Sequence, residues 1–329
     1  MSNRLIPDER IRDDIAACAD LLKLEFAGND PTQLYQLAFS RLTKPNLFRQ
    51  LGGNRHAALR APFLKGTDQR DQFVPHLARV LATQDMMSVL DIGCGDGTST
   101  GFLLEACPGL ADRITHITYS DVSDPYLDSY EEAVVSRYAI ASSDRLKMPF
   151  DRLDSVAAGR QHTVCLILHS LYFLSDPGTL RAKLAGWLAP GALVLIVVAD
   201  ERACFTGAMV DSYLKASSGG GKSLQDPVAD YVKSLENHAT AQSAGLTLLS
   251  LEQQPTRIYA DDFGDLIAAA FVTTLIGLEG EMGDKIDHVA DALTEQADSI
   301  DLTLETRGLR RGCLSVAQPQ LVAVCEFSG

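Results

Sequence analysis

Cysteine pairs, long apolar runs and positive charge are what this chain of 329 residues has least of. Its seven cysteines (Cys18, Cys94, Cys107, Cys165, Cys204, Cys313 and Cys325) are scattered, odd in number and without a CxxC pair. That pattern excludes a disulfide framework or a thiolate zinc site and points to reduced thiols in a cytoplasmic protein. No metal is expected. No run approaches the ~20 apolar residues of a membrane span. LILHSLYFL and ALVLIVVA are too short, and the polar start MSNRLIPDERIRDD has no apolar stretch of a signal peptide. A net charge of −14 repels phosphate backbones and anionic headgroups, and the basic cluster Arg307 to Arg311 is short. Neither nucleic acid nor a membrane is an expected partner. With 46% hydrophobic residues, the chain can bury one large core or a core plus an added domain.

The first 50 residues read as helical, from Ile11, Ile15, Cys18 and Leu22, then from Asp30-Pro31 leading into Leu34, Leu37, Ala38 and Leu42. A further helix is expected over Gln69 to Leu81. From Met86 the pattern alternates. Strand-like runs stand at 87–93, 114–121, 163–169 and 192–199, with helical stretches between them. LKMPFD (146–151) is a poorer strand because Pro149 must sit at an edge. Runs apolar on both faces and joined by helices imply a doubly wound, mostly parallel α/β sheet. LTLLSLEQ (246–253) and LVAVCEF (321–327) read as closing strands, separated by helical segments around 260–278 and 284–296. The expected organisation is a helical cap (1–75), a core (76–255), a helical lid (256–312) and a returning strand (313–329).

The sharpest signal is Asp91-Ile92-Gly93-Cys94-Gly95-Asp96-Gly97, an apolar strand running into three alternate glycines, with Thr98-Ser99-Thr100 opening a helix. Such a loop lets the backbone approach a ligand closely, and the helix N-terminus favours acceptor-rich groups. A dinucleotide fingerprint wants a glycine at the sixth position, here Thr98, and Asp91 is poorly placed to cradle a pyrophosphate. Asp121 ends the second strand 24 residues after Gly97, where a carboxylate accepts ribose hydroxyls. The alternative for Asp121 is an ordinary helix N-cap.

VLDIGCGDG and ITYSD resemble the first two motifs of the class I S-adenosylmethionine-dependent methyltransferases. The resemblance implies a seven-stranded Rossmann-like sheet whose final hairpin is reversed, with S-adenosylmethionine as cofactor and a small-molecule methyl acceptor. By motif match Gly93, Cys94, Gly95 and Gly97 would meet the amino acid portion, Asp91 its positive charge and Asp121 the ribose. The adenine position would fall at Asp151 or Asp154. HSLYFLSDP, LAPGALVLIVVA and the late helical insertion more distantly resemble the histamine N-methyltransferase group. There an acid in the N-terminal segment meets the substrate, at Asp68 if anywhere here.

Methyl transfer needs positioning more than a fixed catalytic dyad. His169 and Tyr172, at the end of the fourth strand, are the candidates to orient or deprotonate an acceptor and to wall the pocket; the plainer alternatives are a hydrogen-bonded strand-end histidine and a packing tyrosine. GGGKS (219–223) lacks the first glycine of a phosphate loop, Cys94 reads as a small loop residue, and the acids Glu279, Glu281, Asp284, Asp287 and Asp291 read as a wet helix face. Two other functions stay open: a nicotinamide-dependent oxidoreductase and a non-catalytic S-adenosylmethionine-binding protein.

Overall fold

The computed structural model describes residues 8–26, 31–43, 49, 60, 62–63, 66–156, 160–200, 204–209, 226–274, 282–295, 300–303 and 313–328. The glycine-rich 217–223, the basic 307–311, and Glu279 and Glu281 lie outside them. The chain divides into two compact units: residues 1–68, 201–223 and 255–319, and residues 69–200, 224–254 and 320–329.

The smaller unit opens with α1 (Asp8–Phe26) and α2 (Pro31–Leu42). The larger follows with α3 (Gln69–Leu81), β1 (Met87–Ile92), α4 (Thr98–Ala106), β2 (Ile114–Asp121), α5 (Asp124–Tyr130), β3 (Ser143–Lys147), β4 (His162–Leu168), α6 (Leu180–Leu184) and β5 (Leu188–Ala199). It continues through α7 (Asp226–Ser234), α8 (His238–Ser243) and β6 (Leu246–Gln254). The chain then builds β7 (Arg257–Ala260), α9 (Phe263–Thr274), α10 (Met282–Glu295), β8 (Ile300–Thr303) and β9 (Cys313–Ala317) in the smaller unit, and returns as β10 (Gln320–Phe327).

The large sheet has the order β3-β2-β1-β4-β5-β10-β6. Its neighbours are parallel except where β10 runs antiparallel to both β5 and β6. This is a seven-stranded, mostly parallel Rossmann-like sheet with one reversed strand. Successive residues of the central strands feed two separate cores. Leu90, Ile92, Cys165, Ile167, Val194 and Ile196 enter one; Val89, Val164, Leu166, Leu193, Leu195 and Val197 enter the other. Each such buried aliphatic side chain contributes about 1.5–3 kcal/mol. Both faces are covered, which is why these strands read as continuous apolar runs.

Departures from expectation have local causes. The third strand is Ser143–Lys147, earlier than 146–151, because Pro149 precedes the short helical turn Phe150–Ser155. It is an edge strand, charged and mostly exposed. β5 reaches back to Leu188 through Pro190 and Gly191 (φ +82°), at the cost of a register shift against β4. The cap boundary falls at 68/69, inside the expected 1–75 segment, because α3 buries Phe73, Val74, Leu77 and Leu81 in the larger unit's core.

In the smaller unit α9 packs against α1, α2 and α10, and β7-β9-β8 form an antiparallel sheet. The segment 256–312 expected as a lid belongs to this unit together with residues up to 319, since β9 pairs with β7 and β8 and does not begin the returning strand. On α10, Asp287 and Asp291 are exposed while Ile286, Val289 and Leu293 are buried, the wet and dry faces expected of it. No group of metal-ligating side chains occurs among the described residues. No helix among them is long and apolar enough to cross a membrane.

Candidate cofactor and active site

β1 hands the chain to the glycine loop. Gly93, Gly95 and Gly97 all take positive φ, +63°, +57° and +77°, where other residues are strained. Two are also needed for packing: a Cβ on Gly93 would stand 2.5 Å from the Ser170 Cβ, and one on Gly97 2.8 Å from Val134 Cγ2. The Cys94 amide donates to the Ser120 carbonyl at 3.0 Å, tying the loop to β2. The first helical amide, on Thr98, donates to Asp96 Oδ1 at 3.1 Å, so the loop's own acid occupies it, while the N-cap position is Gly97.

Asp121 is fastened to the same loop. Its Oδ2 accepts the Gly95 amide at 3.1 Å and its Oδ1 the Ser123 amide at 3.0 Å, two of about four acceptor directions on a carboxylate. The Met148 amide donates to the Asp121 carbonyl at 3.1 Å, so the chain leaving β3 passes beside this acid. The next residue, Val122, is 51% exposed, an uncovered apolar side chain at the rim.

Asp91 lies beneath the loop. Thr100 Oγ1 and the Tyr130 hydroxyl both donate to its Oδ2, at 2.6 and 2.8 Å. Burial pushes its carboxyl up to about 6, against the pull of the two hydroxyls and with a further push from Asp121. Tyr130 stacks on Tyr119 at 4.6 Å, and the Tyr119 hydroxyl donates to Glu131. Burial, reinforced by Asp91, Asp121 and Asp96, holds the Cys94 thiol well above the usual thiol range. It is no nucleophile.

At the end of β4, His169 adopts φ +56°, unusual for a residue with a side chain. Its amide donates to the Val197 carbonyl at 2.8 Å, and the edge of Phe73 meets its ring at 6.0 Å between centroids. Burial, helped by the Arg70 charge, lowers the imidazole to about 4, so it is neutral at physiological pH. Strained backbone of this kind gathers at functional sites. Beside it, Ser170 Oγ donates to the Ile92 carbonyl at 2.5 Å and packs on Gly93, joining the ends of β1 and β4. The Tyr172 oxygen accepts the Ala199 amide and thereby holds the end of β5.

The remaining candidate acids are engaged elsewhere. Asp151 accepts the Ser175 amide and hydroxyl at 3.0 and 2.5 Å, which lowers its pKa. Asp154 pairs with Lys183 at 2.9 Å. In the smaller unit Asp68 is buried, with Oδ1 on the Arg257 amide at 2.6 Å and Oδ2 on the Tyr259 hydroxyl at 3.2 Å. That carboxylate starts β7. Sequence reasoning missed Ser170, Thr100 and Tyr130. Thr100 carried a signal, a hydroxyl in the first turn after a glycine loop that follows a buried acid. Ser170 and Tyr130 become visible only when the sheet brings β4 and α5 to the loop.

No protein-family model matches the chain, and no curated protein sequence does. Solved structures do match. The YcgJ protein from Bacillus subtilis is 12% identical, with 78% of this chain and 98% of that one covered and a TM-score of 0.49. A SAM-dependent methyltransferase from Thiobacillus denitrificans in complex with S-adenosyl-L-homocysteine is 14% identical, with 76% and 89% covered and a TM-score of 0.42. One from Geobacter sulfurreducens in the same complex is 15% identical, with the same coverage and TM-score, 76%, 89% and 0.42. None of these matches bears on the narrower histamine N-methyltransferase resemblance. What the chain does is read from its own site.

Proposed function

We propose that this protein transfers a methyl group from S-adenosylmethionine to a nitrogen or oxygen of a small-molecule acceptor. The observation that carries the reading is the 3.1 Å bond from the Gly95 amide to Asp121, which joins a glycine loop and a ribose-accepting acid in one unit. The charge around the loop selects among ligands. Asp91, Asp96 and Asp121 surround it, and Asp96 already occupies the α4 amide on Thr98 that a pyrophosphate would seek. Three acids repel a dinucleotide and favour a cofactor with a sulfonium and an ammonium group. This argues against the nicotinamide alternative.

In this reading the backbone of Gly93 to Gly97 receives the amino acid portion, Asp121 the ribose hydroxyls, and Val122 with Met148 the adenine faces. Asp91 acts from below through its charge. The bound cofactor supplies an electrophilic methyl group. Neutral His169 would take the proton that the acceptor's nitrogen or oxygen gives up on receiving that methyl group. Tyr172 fixes the strand end beside it. The free thiols of Cys18, Cys94, Cys107, Cys165, Cys204 and Cys325 support a reducing, cytoplasmic setting.

The test is formation of S-adenosylhomocysteine from S-adenosylmethionine with a panel of amines and phenols. The expected result is turnover that His169→Asn slows while binding of S-adenosylhomocysteine is kept. Binding with no turnover on any acceptor would instead identify a non-catalytic cofactor-binding protein.

A further inference from the structure

The reading of His169 as proton acceptor leaves open what fixes its ring, and the larger unit holds a residue suited to that task. Gln320 is the first residue of β10 and is fully buried opposite Ala199 at the end of β5. Its Nε2 is held twice, donating to the Gln69 carbonyl at 3.0 Å and to Gln254 Oε1 at 2.9 Å. Gln69, Gln254 and Gln320 are each the residue at which the chain enters or leaves the larger unit. With both amide hydrogens directed at oxygens, the orientation of the Gln320 amide is set, and Oε1 faces away from them.

Among the sealed polar side-chain atoms, Gln320 Oε1 and His169 Nε2 have no hydrogen-bond partner within bonding distance among the described residues. One is an acceptor and the other becomes a donor in one of the two neutral imidazole tautomers. Leaving both unpaired is costly in a buried site, and pairing them satisfies both. Interaction with the Gln320 side chain favours the proton-bearing imidazole, against burial and the Arg70 charge. His169 as a whole is half-buried, while its Nε2 is sealed from solvent.

We propose that Gln320 is the positioning residue for His169: its Oε1 takes the Nε2–H, fixing the tautomer whose Nδ1 lone pair faces the methyl acceptor. Phe73 limits rotation of the ring from one side. The inference rests on His169 serving as the proton acceptor, but the tautomer itself can be read without any cofactor or acceptor.

The experiment is long-range proton–nitrogen NMR on the full chain labelled with ¹⁵N-histidine, with the His169 signals assigned from a His169→Asn spectrum. In the unaltered protein at pH 7 a neutral Nε2–H tautomer is expected. Gln320→Met should abolish that preference. Gln320→Glu should retain the tautomer and raise the pH at which His169 titrates by about one pH unit or more. A predominant Nδ1–H tautomer in the unaltered protein would overturn the proposal, as would a tautomer unchanged in Gln320→Met. If Gln320→Glu does not fold, the other two spectra decide. Titration with S-adenosylhomocysteine in the same samples reports separately on the methyltransferase reading, so the two can fail independently.

Discussion

The Asp121 carboxylate and the Gly95 amide are bonded at 3.1 Å, so the acid ending β2 and the loop ending β1 hold one another in place. Removing the acid therefore acts twice, on the ligand contact and on the loop. Asp121→Ala is expected to weaken S-adenosylhomocysteine binding at least ~100-fold, since hydrogen bonds to a charged group contribute about 1.5–3 kcal/mol each. Asp121→Asn keeps an oxygen for Gly95 and should fall between the two. Isothermal titration of the three proteins checks this, with thermal unfolding to separate loop damage from lost contact.

Gly93 is expected to tolerate no side chain. Gly93→Ala combines a positive φ with a Cβ 2.5 Å from the Ser170 Cβ. Strain and overpacking together should cost about 2–4 kcal/mol. Adding Ser170→Gly removes the clash but not the backbone strain, so it should restore part of the loss. Urea unfolding of the single and double variants measures both quantities.

Asp91 links stability to pH in a direction opposite to that of most carboxylates. Its folded pKa, about 6, lies above the ordinary 3.8, so the folded state binds the extra proton. Its contribution therefore stabilises as pH falls from about 6 towards 4, and above 6 the buried charge is a steady cost. Asp91→Asn, which can still accept from Thr100 and Tyr130, should gain stability relative to the parent as pH rises across that window. A cationic ligand favours the ionised acid, so cofactor binding near pH 6 should release protons. Calorimetry in buffers of different ionisation enthalpy detects the release.

At the other end of the sheet the sign reverses. His162 is fully buried, stacks on His116 at 5.8 Å and on Trp187 at 6.2 Å, and shares a 2.9 Å hydrogen bond with Ser88 Oγ. Burial, with the charges of His116 and Arg160, lowers it from 6.5 to about 4. The neutral ring's contribution is complete above pH 6.5 and is lost as pH falls towards 4, by at most about 1.4 kcal/mol per pH unit. His162→Phe should flatten this acid loss and leave S-adenosylhomocysteine affinity unchanged, as paired unfolding and binding curves would show.

The chain's legibility followed its physics. Strands buried on both faces announced themselves as apolar runs, and the glycine loop with Asp121 was local enough to read by spacing. β7, β8 and β9 were not found, because RIYA and IDLT are four-residue pieces that bury little alone and gain their ladder only from a partner distant in sequence. Asp151 and Asp154 looked like ligand acids by position, yet Ser175 and Lys183 hold them, partners that a spacing rule does not contain. Gln320 stands just before the expected strand 321–327 and carried no local signal; its bonds to Gln69 and Gln254 span 251 and 66 positions of sequence.

The most direct measurement is calorimetric titration of the protein with S-adenosylhomocysteine, with NAD as the competing ligand. Saturable binding of S-adenosylhomocysteine and none of NAD is the expected result. Tight binding of NAD with none of S-adenosylhomocysteine would contradict the assignment of the glycine loop and Asp121 to a methyl-donor cofactor, and would move the oxidoreductase to first place.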